Sequence, residues 1–155
     1  MTRTLFACLA AAALLAAGTA SAALKPDSLR LALDSLLVAT TKQAVANAIL
    51  ANPYKPPERN RDVNMGPPYT LTTEEIQAVF VGHGGVITIK FTAAVGMDSA
   101  FVRFLPKVVK GTTGEPTVQY DCVSPNVPEI ATAYPGCVYD PASMKLPVAK
   151  PGDKK

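Results

Sequence analysis

The run from Asp27 to Ala51 constrains this 155-residue chain more than any other stretch. Pro26 and Asn52-Pro53 mark its ends, because proline fits a first helical turn and the residue before a proline is pushed out of the helical region. Asp27 or Ser28 supplies a side chain to cap the first amide groups. The spacing predicts one continuous helix of about 37 Å at 1.5 Å per residue. Advancing 100° per residue gives it two apolar faces. The wider holds Leu29, Leu33, Leu36, Leu37, Ala44, Ala48 and Ala51. A narrower stripe of Leu31, Val38, Val45 and Ile49 lies nearly opposite. One sheet buries one face, so the narrow stripe is expected either at the solvent or as a contact surface for another subunit.

The length suits one domain, and 48% hydrophobic with 17% charged residues is a globular balance. A net charge of +3, with scattered Lys and Arg and no basic patch interleaved with aromatics, gives no argument for nucleic acid as a partner. Met1 to Ala22 has a charged tip at Arg3, an apolar run from Leu5 to Ala17, and small residues ending Ala20-Ser21-Ala22. This is the form of a secretory signal cut between Ala22 and Ala23. The alternative is retention of Thr4 to Leu24 as a membrane helix, since about 20 residues suffice to span. Either way the chain leaves the cytoplasm, for the periplasm, the cell surface or an extracellular appendage. Cys8 lies inside the signal, which leaves Cys122 and Cys137, an even count in an exported protein and so an expected single disulfide.

Past the helix, Pro53 to Pro68 follows neither the helical nor the strand period and is expected as a long connecting loop. Ile76 to Val81 is an apolar strand ended by His83-Gly84-Gly85. Val86 to Phe91 alternates, with Ile87, Ile89 and Phe91 on one face and Thr88 and Lys90 on the other. Phe101 to Leu105 repeats the pattern with Arg103 outward, and Thr117 to Asp121 places Val118 and Tyr120 inward. Short connections make these strands antiparallel neighbours. From Ala142 to Lys155 no apolar period survives, and a disordered Pro/Lys-rich tail is expected.

No constellation for catalysis or metal binding stands out. His83 is the single histidine and sits in a glycine turn without a second ligand type at metal spacing or a nucleophile beside it. Glu74 and Glu75 are adjacent on an extended stretch and point to opposite faces. Gly82 to Gly85 is followed by neither a helix nor a Lys-Ser/Thr pair, so it does not cradle phosphate. No enzyme activity, cofactor or metal is therefore expected.

The order of helix, proline-containing loop, antiparallel meander and C-terminal disulfide loop resembles the globular headgroup of a type IV pilin. Lys42-Gln43-Ala44-Val45-Ala46 looks like the second half of the pilin spine, Gly85 to Phe91 like the glycine-led central strand, and Phe104-Leu105-Pro106 like its leucine-proline strand end. Tyr120-Asp121-Cys122 with Tyr134-Pro135-Gly136-Cys137 is similar to the cysteine pair bordering the disulfide loop near pilin C-termini. The likeness covers about residues 27–140. The amino-terminal segment departs from it, since Met1 to Ala22 has neither the glycine cleavage site nor the glutamate-bearing apolar helix of a pilin.

The expectation is thus an α+β fold: one long N-terminal helix packed on an antiparallel sheet of about four strands, with a C-terminal disulfide loop. The domains are a signal over 1–22, a headgroup over 23–141 and a tail over 142–155. The resemblance implies a structural or adhesive protein whose partners are like subunits, other pilus proteins, or a host or abiotic surface. Leu31, Val38, Val45 and Ile49 would form its assembly face. A soluble periplasmic or secreted binding module on the same fold is the alternative.

Overall fold

The computed structural model describes residues 23–145, so the signal segment with its cleavage residue Ala22, and the stretch beyond Lys145, lie outside the described residues. The expected single helix is instead two: α1, Pro26–Leu33, and α2, Leu36–Ala51. Asp34 leaves the helical region at φ −88°, ψ 2°, and Ser35 is extended at φ −64°, ψ 153°. The Ser35 hydroxyl accepts from the Val38 amide and starts the second helix, the work of a serine N-cap. Asp-Ser in mid-run thus competes for backbone groups that a continuous helix needs.

The break also resolves the two faces. Leu29 and Leu33 belong to one stripe of an unbroken helix and Val38, Val45 and Ile49 to the opposite one, about half a turn away at 100° per residue. Two non-helical residues turn α2 about its axis, and all five side chains are buried in one core. The helices therefore present a single apolar face made from the near half of one stripe and the far half of the other.

The sheet has five strands in the order β1-β2-β3-β4-β5, where β1 is Ile76–Val81, β2 Ile87–Phe91, β3 Phe101–Lys110, β4 Pro116–Ser124 and β5 Cys137–Tyr139. The first four pair antiparallel, as expected, but β5 pairs parallel to β4 and makes the sheet mixed. A parallel neighbour requires a crossover. It is supplied by the connection that carries the short helix α3, Ile130–Ala133, which had given no strand or helix signal.

Cross-strand rungs fix the core face. Val79, Ile89 and Val102 form one, Ile87, Phe104 and Cys122 the next, and all six are buried. Burying side chains of this size contributes about 1.5 to 3 kcal/mol each before entropy is counted. Gly85, at φ +80°, lies where a side chain would come within 3.0 Å of Val45 and Ile49, so its small size admits α2. At the end of the sheet where β3 begins, the Lys25 amide donates to the Val95 carbonyl and Ala23 lies so close to Gly96 that any side chain there would strike its carbonyl.

The second face is covered less. Tyr69 meets Phe80 edge-on at 5.4 Å. The 3-10 turn Pro141–Lys145 packs near β4, with Ser143 buried, so order extends at least to Lys145 and the tail expected from Ala142 does not begin there.

Candidate interaction site

The expected assembly stripe is not a surface. Val38 and Val45 are 0% exposed and Ile49 5%, because α2 lays them on the sheet. Leu31 alone of the four is open, at 64%. Cys122 and Cys137 are joined, at a Cα–Cα distance of 4.4 Å, and fasten β5 to β4 in register. Ala23 begins the described residues and is exposed.

His83 Nδ1 lies 3.2 Å from Glu58 Oε1 on an exposed surface. The Thr73 hydroxyl donates to the Glu75 carboxylate, and the Glu74 main-chain carbonyl accepts from the Thr92 hydroxyl. Among the described residues no group of three His, Cys, Asp or Glu side chains is placed to hold a metal ion, and no helix is long and apolar enough to cross a membrane. Two open clefts of about 510 and 490 Å³ flank the start of α1 and the end of α2.

The distinctive surface is an arm that the sequence did not announce. β3 continues through Pro106 to Lys110 and β4 starts at Pro116, while β2 pairs with β3 only from Phe101 to Phe104 and β5 with β4 only from Cys122 to Ser124. From Leu105 to Lys110 and from Pro116 to Asp121 the two strands therefore have each other and, among the described residues, no further neighbour strand. The Gly111 amide donates to the Glu115 carbonyl and the Gly114 amide to the Gly111 carbonyl, which closes the hairpin with Gly114 at φ +85°.

By alternation from Gly111, the odd-numbered amides of β3 face β4 and the even-numbered ones face outward. Pro106, which has no amide hydrogen, thus stands on the outward side, where the ladder asks for no donor. It was read as a strand end, but it marks the point at which an interior strand becomes an edge.

Val108 is 52% exposed on this arm. The β3 half carries exposed Lys107 and Lys110, and the β4 half exposed Asp121, with Glu115 in the turn. The base of the arm is held from above by α2. The Tyr120 hydroxyl donates to the Lys42 carbonyl at 2.7 Å, and Lys42 Nζ lies 3.6 Å from the centre of the Phe104 ring. Burial pushes the Tyr120 phenol up to about 12. Burial pulls the Lys42 ammonium down, with Asp34 opposing.

The other side of the sheet is closed by Asn60. Its amide nitrogen donates to the Val79 and Gly66 carbonyls at 2.8 and 3.1 Å, and its oxygen accepts from the Val81 amide at 2.7 Å. A side-chain amide thereby stands in for a sixth strand. The Pro53 to Pro68 stretch, expected as a long connecting loop, delivers this plug, and Asn60 and Val63 within it are buried. A lone Asn in a proline-rich loop carries no sequence signal for such a role. Compared with known proteins, the chain matches no family model and no curated sequence.

Proposed function

We propose that this is an exported, non-enzymatic protein of the cell surface or an extracellular appendage, working through contacts with like subunits made by the β3–β4 arm. The observation that carries this reading is the arm itself, whose strands from Leu105 onward and before Cys122 have no further strand neighbour among the described residues. Unpaired strand edges are templates for another chain. The arm's two halves differ in charge, Lys107 and Lys110 against Asp121 and Glu115, so the β3 edge of one copy suits the β4 edge of the next. Such head-to-tail contact builds an extended assembly wherever the rotation between copies does not close a ring. The disulfide supports an oxidising compartment. The likeness of Gly85 to Phe91 and of the cysteine borders to pilins agrees with an appendage, though the spine of that likeness is two helices here.

Light scattering over a concentration series tests the reading. Association is expected, lost in Lys107→Glu with Lys110→Glu, and regained when that variant is mixed with Glu115→Lys, Asp121→Lys protein. A wild-type chain that stays monomeric throughout overturns it. That outcome favours the second reading, a soluble periplasmic or secreted binding module, which the burial of Val38, Val45 and Ile49 supports.

A further inference from the structure

Arg103 stands in the middle of β3 on the face away from α2, opposite Thr88 on β2 and Val123 on β4. It is 1% exposed, the largest fully buried side chain among the described residues. Its Nη1 donates to the Ser143 carbonyl of the turn Pro141–Lys145, and its guanidinium carbon lies 5.4 Å from the centre of the Phe101 ring. Nε and Nη2 are buried and have no hydrogen-bond partner among the described residues. No carboxylate among the described residues forms an ion pair with it.

An interior cation without a counter-charge is costly, since burial strips it of its hydration. The two orphaned atoms also have a defined geometry. In a guanidinium, Nε–H and the adjacent Nη2–H run side by side, and this fork matches the two oxygens of a carboxylate. The third nitrogen, already engaged by a carbonyl, is the one that the fork does not use.

The cover over this fork is lightly attached. Within Asp140–Lys145, the Ser143 amide and hydroxyl both donate to the Asp140 carbonyl and the Ala142 amide donates to the Asp140 carboxylate, so the turn is held mainly by itself. Its root is the Asp140 amide on the Ser124 carbonyl, and the Ser143 carbonyl on Arg103 is its bond to the sheet interior. A cover built in this way can lift as a unit about Tyr139 and Asp140.

We propose that Arg103 is the anchor of a carboxylate-binding site, with the Nε and Nη2 fork as the acceptor's seat and the turn Pro141–Lys145 as a cover that lifts to admit the anion. The inference is independent of the arm and of subunit contact. The carboxylate has two possible sources: a small molecule or acidic side chain from outside, or Asp153, which follows the turn in sequence and lies outside the described residues.

The test uses the full chain, titrated with sodium acetate against sodium chloride at equal ionic strength. The readouts are thermal unfolding and the Arg103 Nε–H resonance in a nitrogen-15 correlation spectrum. If the carboxylate comes from outside, acetate raises the wild-type midpoint by several degrees beyond chloride and moves the Nε–H signal. Arg103→Lys, which keeps the charge but lacks the fork, loses the response, and Asp153→Asn keeps it. If Asp153 is the occupant, the wild type does not respond, Asp153→Asn unfolds at lower temperature, and acetate restores that variant. The proposal is overturned if neither wild type nor Asp153→Asn responds to acetate, or if Arg103→Lys responds as strongly as the wild type. The resonance measurement on wild type and Asp153→Asn decides the matter even if the Arg103 variants do not fold.

Discussion

Two exposed borders of the β-sheet are treated in opposite ways. Along β1, a side chain from a distant loop occupies the places of a missing strand: Asn60 gives and takes bonds at Val79 and Val81, and the Pro57 carbonyl accepts from Gly85 close by. Along the β3–β4 arm nothing of the kind is present among the described residues, and Val108 faces outward between lysines. Unpaired edges are usually blunted because they recruit other chains. That one border is plugged at the cost of ordering a long loop, while the other extends beyond the sheet, separates an edge kept private from one available for contact. Lysines on the arm admit a partner of opposite charge and discourage indiscriminate pairing.

Four changes break or sharpen this contrast. The largest is removal of the disulfide, by Cys122→Ser with Cys137→Ser. The sequence separation of 15 puts its contribution at about 3 kcal/mol. It also frees β5, so the bare edge of β4 lengthens to Ser124. A lower urea midpoint together with stronger association is expected by denaturation and light scattering. Next is Asn60→Ala, which orphans the Val79 carbonyl and the Val81 amide and is expected to cost about 2 to 3 kcal/mol in urea unfolding. New association by that variant at concentrations where the wild type shows none would confirm that the plug guards the edge.

Tyr120→Phe loosens the arm's base by one hydrogen bond, about 1 kcal/mol. Its pH dependence has a definite sign. The folded state holds the phenol protonated up to about 12, above its unfolded value, so the contribution of Tyr120 is present in full below pH 10 and is lost as pH rises from there toward 12. Unfolding compared at pH 9 and pH 11 should show the wild type losing more stability than the phenylalanine variant. The smallest change is Val108→Pro. The Val108 amide faces outward, so stability should stay within about 0.5 kcal/mol while association through the β3 edge disappears. Unchanged association in that variant would move the contact elsewhere on the molecule.

What the sequence made legible was mainly periodic. The alternation of Ile87, Ile89 and Phe91 placed β2 and its buried face, Val118 and Tyr120 turned toward the core side as expected, and two cysteines in a chain read as exported gave the disulfide. The helix failed where period alone was trusted. Phase carried across Asp34-Ser35 put Val38 and Leu29 on opposite faces, yet the serine cap resets the phase and both are core. Arg103 failed for a related reason. Alternation correctly placed it opposite Val102 and Phe104, but the far face is covered at that point by a turn forty residues downstream, and no local pattern encodes such cover. β5 and Asn60 act through long-range pairing, which leaves little trace in a window of neighbouring residues.

The tie between Lys25 and Val95, with Ala23 pressed against Gly96, gives the molecule a direction. It fastens the incoming chain at the end of the sheet where β3 begins, and the hairpin tip lies at the other end of that ten-residue strand, about 33 Å away at 3.3 Å per residue. Anything attached before residue 23 therefore holds the domain like a handle, with the arm pointing away. A partner on the arm and an attachment before residue 23 would thus pull from opposite ends of the sheet, along its strands and not across them.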